Sequence, residues 1–258
     1  MRGKEFPGSN RPGSLELVDV HIHLNGTDLI RQTSLTVSPG QVVTVMGPSG
    51  SGKSSLLAYI CGTLSPVFKA CGRVLIDGTD VTFLPIEKRR IGILFQDDLL
   101  FPHMTVGENL LFAVPRSVGR RQARMAIVRR ILEEAGLEGC EERDPTTLSG
   151  GQRARVALMR TLLSQPKAVL LDEPFSRLDT NMRANIRKFV FAHVLRRGIP
   201  ALMVTHDLDD AAAAGGPVLH VENEKEEESW TGQPAHSRSA HPGEPCDPLL
   251  PTAVCGHL

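Results

Sequence analysis

The chain has 258 residues, in which 29 lysines and arginines balance 29 aspartates and glutamates. The length suits one large domain, and the balanced charge argues against the strongly basic surface of a protein that binds nucleic acid. No apolar run approaches the ~20 residues of a membrane-spanning helix, and residues 1–14 lack the apolar centre of a signal peptide. We expect a protein that is not exported, and its five scattered cysteines favour a reducing compartment.

The folded part of the chain is predicted to begin at residue 15. Residues 1–14 are rich in glycine and proline and are predicted to be flexible. Segments 15–24 and 29–37 are strand-like, and Asn25-Gly26 between them predicts an antiparallel hairpin. His21 and His23 alternate on the first strand, which is compatible with a shared metal ion. Because no cysteine or acidic residue with ligand spacing accompanies them, a solvent-facing strand is favoured.

A glycine-rich segment follows the apolar run 42–46 and precedes a helix-like segment. Gly47, Gly52, Lys53 and Ser54 match the spacing G-x-x-x-x-G-K-[ST], in which backbone N–H groups hold phosphates, the lysine reaches the terminal phosphates and the hydroxyl binds Mg²⁺. An ordinary turn would have to combine these residues by coincidence where a strand ends. The residues assigned to phosphate binding are Gly47, Pro48, Ser49, Gly50, Ser51, Gly52, Lys53, Ser54 and Ser55.

Two predicted segments follow before the next buried strands. Residues 73–78 indicate a short strand and a turn, and 91–95 indicate a buried strand. Gln96 follows that strand, and polar residues at the carboxyl end of a strand are candidate site residues. From about 98 to 165 the pattern is helical.

A βαβ unit is predicted in the second half of the chain. Segments 168–172 and 201–205 are continuous apolar runs, as in strands of a parallel sheet that are buried on both faces. The helix-like segment 180–195 between them predicts the crossover, and 218–221 is a short final strand. The tail 222–258 is acidic and then rich in proline, serine and glycine, which predicts disorder.

Two acidic residues end the strand 168–172. Asp172 is suited to hold Mg²⁺ together with Ser54, and Glu173 is a candidate general base or water-positioning group for a phosphate reaction. The alternative, that both acids only solubilise the end of a strand, is disfavoured because a phosphate-binding loop lies upstream.

A second anion site is predicted at 149–152. Ser149 is a helix N-cap residue, and Gly150 and Gly151 open the helix before Gln152. Two phosphate-binding helix starts in one chain indicate that a second copy completes each site.

These segments together resemble the ATPase subunits of ABC transporters. The residues that carry the resemblance are the loop 47–54, Gln96, the segment 148–152, Asp172-Glu173-Pro174, Ser176-Arg177-Leu178-Asp179 and His206. The resemblance covers residue 15 to about 221. Within the family, the segments 91–97 and 172–179 are most similar to bacterial importer ATPases of the YnjD type, near the thiamine and iron(III) importer ATPases.

The resemblance implies an α/β fold: a P-loop NTPase core with a mixed sheet, an N-terminal antiparallel β-subdomain and a helical subdomain at about 98–165. It also implies a head-to-tail homodimer that hydrolyses ATP with Mg²⁺. Each nucleotide would be held by the phosphate loop of one subunit and by Ser149, Gly150, Gly151 and Gln152 of the other. Ser54, Asp172 and Gln96 would bind Mg²⁺.

The resemblance assigns roles to further residues. His206 would contact the γ-phosphate, and Asp179 would communicate across the dimer, although Arg177 stands where the family commonly has a small or neutral residue. Leu24 occupies the position at which an aromatic ring commonly stacks on adenine, so we expect weak discrimination between ATP and GTP.

The implied partners are membrane permease subunits and an extracytoplasmic solute-binding protein, with no nucleic acid. The chain would then lie at the cytoplasmic face of the inner membrane. The segment 97–104 is expected to meet a permease helix, with Asp97 and Asp98 facing a basic permease residue; packing of this segment inside the chain is the alternative.

Two other functions are alternatives to transport. A non-transport ATPase of the same family, acting on nucleic acid, ribosomes or Fe–S assembly proteins, often carries coiled-coil inserts or basic extensions, which this sequence lacks. A P-loop kinase leaves the segment 148–152 unexplained.

Overall fold

The structure is a computed structural model that describes residues 13–221. The lead-in before residue 13 and the tail 222–258, predicted to be flexible and disordered, lie outside the described residues. The strands are β1 Leu15–Leu24, β2 Thr27–Val37, β3 Val42–Met46, β4 Lys69–Ile76, β5 Thr79–Asp80, β6 Ile91–Leu94, β7 Ala168–Asp172, β8 Ala201–Val204 and β9 Val218–His220. The α-helices are α1 Lys53–Cys61, α2 Ile86–Arg89, α3 Val106–Ala113, α4 Arg121–Glu134, α5 Gly150–Leu163, α6 Thr180–Arg197 and α7 Leu208–Ala214.

The strands form two sheets. An antiparallel sheet has the order β2-β1-β4-β5, and a parallel sheet has the order β6-β7-β8-β3-β9. The predicted hairpin and N-terminal antiparallel β-subdomain are confirmed, and the core sheet, which was expected to be mixed, is parallel in all of its described pairings. The reason is that short turns join antiparallel neighbours, whereas parallel neighbours require long crossovers such as α6.

The parallel sheet separates two apolar cores. In β7, Ala168 and Leu170 face the core that includes α1 and the antiparallel sheet, whereas Val169 and Leu171 face the core of the helical region. All four side chains are fully buried. Successive side chains of a strand point to opposite faces of the sheet, and both faces of this sheet are covered. For this reason β7 and β8 are continuous apolar runs in the sequence.

The pairing of β1 with β2 changes the interpretation of the two histidines. Asp28 on β2 lies directly opposite His23 on β1, and both histidine side chains lie close to its carboxylate. An acidic residue therefore does accompany His21 and His23. It was missed because Asp28 joins them only through the pairing of the two strands across the Asn25-Gly26 turn.

The predicted helical stretch contains α3, α4 and α5. Helix α3 begins with a capping box, in which Glu108 N donates to Thr105 Oγ1 and Thr105 N donates to Glu108 Oε2. Arg124 on α4 donates to the carbonyls of Leu111 and Val114, at the carboxyl end of α3. The caps and side chains thus fix α3 and α4 against each other beside the parallel sheet.

Candidate functional site

The parallel strands bring most of the predicted site residues to one edge of the sheet. Asp172 ends β7, Glu173 follows it, and His206 follows β8, while the glycine-rich loop follows β3. Strand β8 lies between β7 and β3, so the two acids and the loop are separated by only one strand. Carboxyl ends of parallel strands form the usual ligand crevice of α/β proteins.

The glycine-rich loop encloses the side chain of its lysine. Lys53 Nζ donates to Gly47 O at 2.8 Å and to Pro48 O at 2.6 Å. The ammonium group therefore lies within the loop, at the first residue of α1, where a phosphate would meet both the positive charge and the N-terminus of the helix.

Two of the loop glycines are required by close packing. Gly52 has φ +89, and a Cβ placed there would lie 2.9 Å from Leu29 Cβ on β2. A Cβ at Gly47 would lie 2.4 Å from Val221 O. The loop is therefore held between the antiparallel sheet and the residue that follows β9, and neither position accepts a side chain without movement.

Asp172 and Lys53 lie in a shared electrostatic environment. Burial raises the pKa of Asp172 above its usual range; the charge of Glu173 raises it further, and Lys53 opposes the rise. Burial also lowers the pKa of Lys53, against the effect of the two acids. A buried carboxylate beside a second acid is stabilised in its charged form by a cation, so these residues fit a divalent metal ion.

Glu173 is held in a strained conformation directly after β7. Its φ is +44, in the left-handed region that non-glycine residues rarely adopt, and its N–H donates to Val204 O on β8 at 2.9 Å. Its Oε1 atom lies 3.0 Å from His206 Nδ1. Such strain is concentrated at functional sites, and here it keeps the carboxylate beside His206.

Ser176, which the sequence analysis named only as part of the segment 176–179 and without a role, is a positioning residue. Its hydroxyl donates to Glu173 O at 2.9 Å, and Arg183 on α6 donates to Ser176 O. These bonds hold the turn that contains Glu173. A serine three residues after a candidate catalytic acid is the only local signal, and it becomes informative only when the strained φ of Glu173 is known.

The second predicted anion site is the start of α5. Gln152 N donates to Ser149 Oγ at 3.3 Å, and Ser149 N donates to Gln152 Oε1 at 2.9 Å, which forms a complete capping box. A Cβ at Gly151 would lie 2.1 Å from Met182 Sδ on α6, so this glycine allows the two helices to approach closely. The predicted N-cap and helix start are therefore confirmed.

The two helix starts have different neighbours within the chain. The α1 start contacts Leu29 and the end of β9, whereas the α5 start contacts Leu178 and Met182. Among the described residues, no hydrogen bond joins the loop 47–54 to the segment 149–152.

Gln96, Arg177 and Asp179 lie near the boundary between the sheet and the helical region. Gln96 is exposed and lines a cavity of about 470 Å³, together with Pro174 and Gly150. Asp179 caps α6 by accepting a hydrogen bond from Met182 N at 3.0 Å. Arg177 forms an ion pair with Asp97. The structure therefore gives Asp179 a structural bond, and it leaves Gln96 at the surface of the cavity.

Asp97 and Asp98, which were expected to face a basic permease residue, already have basic partners within the chain. Asp97 pairs with Arg177, and Asp98 Oδ2 lies 2.9 Å from Arg153 Nε. Both arginines are distant in sequence, so the pairing was invisible in the segment itself. Leu100 packs against the helical core, whereas Leu99 is 54% exposed.

A glycine-rich loop with a lysine between a buried parallel strand and a helix, beside a carboxylate at the end of a neighbouring strand, defines a P-loop nucleoside triphosphatase. The family model described as "ABC transporter" matches residues 30–176. The chain therefore belongs to the ABC transporter family and is an ATP-binding, ATP-hydrolysing member of it.

Relatives support this assignment over most of the chain. The chain is 49% identical over 195 residues to the uncharacterized ABC transporter ATP-binding protein YnjD of Escherichia coli K12, an alignment that covers 76% of this chain and 89% of that protein. It is 39% identical over 209 residues to the Fe(3+) ions import ATP-binding protein FbpC of Brucella abortus 2308, covering 81% of this chain. The chain spans 58% of the length of that second relative.

Within residues 13–221, none of the helices combines the length and the apolar character needed to cross a membrane.

Proposed function

We propose that the chain is the ATPase subunit of a bacterial importer, that it acts as a head-to-tail homodimer, and that residues 15–221 form its ATPase domain. The observation that carries this proposal is the separation of the two helix starts, α1 and α5, which have different neighbours in one chain. A second copy in the opposite orientation supplies the start of α5 to the nucleotide held by the loop 47–54. This arrangement uses both anion sites.

Within each nucleotide site the residues have distinct roles. Lys53 and the loop backbone hold the β- and γ-phosphates, while Ser149, Gly150, Gly151 and Gln152 of the second copy close over the γ-phosphate. Ser54, Asp172 and Gln96 hold Mg²⁺, which neutralises phosphate charge. The raised pKa of Asp172 supports this assignment, because a bound cation stabilises the carboxylate in its charged form.

Glu173 and His206 act on the attacking water and the γ-phosphate. The Glu173 carboxylate is the general base or water-positioning group, and its placement is fixed by the strained backbone and by Ser176. His206 Nδ1, 3.0 Å from Glu173 Oε1, orients the carboxylate and contacts the γ-phosphate. Asp179, at the start of α6, faces the second copy across the dimer.

The test of this site is Glu173→Gln. The amide keeps the shape of the side chain but does not accept a proton, so ATP turnover should fall by about 10²- to 10⁴-fold, the scale of a positioned acid–base group. Nucleotide binding should persist, and the variant should form an ATP-dependent dimer in size-exclusion chromatography with light scattering. Turnover within threefold of the wild-type protein, or a monomer at saturating ATP, contradicts the proposal.

The proposed partner is an integral permease, together with an extracytoplasmic solute-binding protein, at the cytoplasmic face of the membrane. The support is the 470 Å³ cavity beside Gln96 and the exposed apolar residues that line it, Phe95 and Leu99. An apolar helix of the permease fits such a groove. Relatives that are named as import proteins agree with this direction of transport.

The docking surface is tested by Leu99→Asp, with Phe83→Asp as the matched control. Leu99 is 54% exposed and has φ +45, a conformation that aspartate accepts more readily than leucine does, so this variant should fold. Phe83 is an 81% exposed apolar side chain away from the groove. Leu99→Asp should keep basal ATPase activity and lose co-purification with the permease from membranes.

Phe83→Asp should retain both basal ATPase activity and co-purification with the permease. Equal co-purification of the two variants would show that this groove is not the coupling surface. Leu100→Asp is unsuitable for the test, since Leu100 packs against the helical core and its substitution would mix folding with docking.

A further inference from the structure

The outer face of the hairpin β1–β2 carries a cluster of ligand atoms outside the nucleotide site. His21 Nε2 lies 3.2 Å from Asp28 Oδ1, and His23 Nδ1 lies 2.5 Å from the same oxygen. One donor atom from each of the three side chains lies within 4.8 Å of the other two. The side chains are 23%, 37% and 33% exposed, so the cluster is accessible from solvent but is not fully solvated.

The cluster is incompletely satisfied by hydrogen bonds. His21 Nε2 is buried and makes no hydrogen bond, although it lies within ion-pair distance of Asp28. Both imidazole nitrogens approach a single carboxylate oxygen. Burying a polar atom without a hydrogen-bond partner costs free energy. A metal ion between the three groups would give His21 Nε2 a partner.

One of the two separations suits a small divalent ion. Bonds of about 2.0–2.1 Å to a tetrahedral ion place neighbouring ligand atoms about 3.4 Å apart, close to the His21–Asp28 separation of 3.2 Å. The His23–Asp28 separation of 2.5 Å is shorter, so His23 has to move away from the carboxylate when an ion binds. Two imidazoles and a carboxylate are borderline ligands that favour Zn²⁺ and related transition metals over Mg²⁺ or Ca²⁺.

The strand register places a cysteine next to the cluster, although its sulfur does not lie within 4.8 Å of all three ligand atoms, so the side chain would have to rotate toward the ion to bind it. Cys71 on β4 lies directly opposite His21 on β1, and directly opposite residues of an antiparallel pair project from the same face of the sheet. His21, His23, Asp28 and Cys71 therefore come from three adjacent strands onto one face, where tetrahedral coordination requires four ligands.

We propose that His21, His23 and Asp28 form a binding site for one divalent transition-metal ion of the Zn²⁺ class, with Cys71 as the fourth ligand. The ion cross-links β1, β2 and β4 and stabilises the antiparallel sheet. Strand β2 also carries Leu29, which packs on Gly52 at the start of α1, so the site lies on the hairpin that supports the phosphate-binding loop. The proposal is independent of the transport function.

The experiment uses the full-length chain purified without a histidine tag and freed of metal with a chelator. Zn²⁺ binding is measured by titration against a competing chromophoric chelator for the wild-type chain, His21→Gln/His23→Gln, Asp28→Asn and His103→Gln. His103 is an exposed histidine outside the cluster and serves as the matched control. Because residues 222–258 also contain histidines and cysteines, the readout is the difference in bound equivalents between variants.

The wild-type chain and His103→Gln should bind one more equivalent of Zn²⁺ than the double histidine variant. Asp28→Asn should lower the affinity for that equivalent at least tenfold. Zn²⁺ should raise the melting temperature of the wild-type chain and not that of the double variant. Circular dichroism and ATP binding verify that each variant folds. Equal equivalents and affinities in all four proteins would overturn the site.

Co²⁺ substitution tests the coordination. A tetrahedral site gives intense d–d absorption, and a thiolate ligand adds a charge-transfer band in the near ultraviolet. The band should be present in the wild-type chain and absent in Cys71→Ser, while the d–d absorption remains. A wild-type spectrum without the band would remove Cys71 from the ligand set, and weak octahedral absorption would contradict the tetrahedral site.

Discussion

The starts of α1 and α5 are both suited to anions, but they are built in opposite ways. Helix α1 begins at Lys53 after Gly52, which has φ +89 and provides no side-chain cap. Helix α5 begins after Ser149, whose side chain and that of Gln152 form a complete capping box. The first start depends on backbone N–H groups and an enclosed lysine, whereas the second is stabilised by its own side chains.

This difference indicates that the two helix starts have different roles in nucleotide binding. The α1 start has strained glycines, a buried lysine and a nearby half-buried carboxylate, which support the proposal that a single chain supplies this phosphate site. The α5 start is an ordinary, locally stable helix terminus with an exposed Ser149. We therefore expect substitutions at α1 to impair ATP binding by the monomer, and substitutions at α5 to impair only steps that require two copies.

The largest effect is expected for Lys53→Ala. Removing a charged partner from a desolvated phosphate contact costs about 2–5 kcal/mol, which corresponds to a loss of ATP affinity of about 30- to 4,000-fold. The measurement is an equilibrium titration of dilute, monomeric protein with ATP. Lys167→Ala is the control, because Lys167 pairs with Asp77 at 2.9 Å away from the loop. Equal affinities for the two variants would contradict the assignment of Lys53.

A smaller effect is expected from adding one methyl group to each helix start. Gly52→Ala places a Cβ 2.9 Å from Leu29 in a left-handed conformation, which costs about 1–2 kcal/mol of stability and displaces the loop. At Gly150 the nearest atoms to a Cβ lie 3.8 Å and 3.9 Å away, so Gly150→Ala should fold normally.

The two glycine variants are compared by thermal unfolding and by ATP binding and ATPase assays. Gly52→Ala should weaken ATP binding by the monomer. Gly150→Ala should bind ATP normally as a monomer and lose turnover, since its methyl group projects from the start of α5. If Gly150→Ala retains wild-type turnover, the α5 start does not close over the nucleotide of a second copy.

A small loss of stability is expected for Ser149→Ala. Loss of an N-cap costs about 1 kcal/mol, which lowers the melting temperature by a few degrees. Thr105→Ala removes the equivalent cap of α3 and is the matched control. Both variants should lose similar stability, but only Ser149→Ala should lose ATPase activity. A similar loss of ATPase activity in both variants would show that Ser149 acts only as a helix cap.

The sequence by itself determined the features that depend on neighbouring residues. The loop 47–54, the acids after β7 and the capping box of α5 were all predictable, because each is formed by residues within a few positions of one another. The Asn25-Gly26 turn predicted the hairpin for the same reason. The parallel strands β7 and β8 followed from continuous apolar runs, since both faces of that sheet are covered.

The tertiary structure alone decided the features that join distant residues. Asp97 meets Arg177 across 80 positions, Asp98 meets Arg153 across 55 positions, and Gly151 is packed against Met182 on another helix. The strain at Glu173 also depends on its bond to Val204 on β8. Local sequence encodes turns, caps and apolar periodicity, whereas these contacts arise only when the sheets and helices pack together, and their partners carry no signal in the nearby sequence.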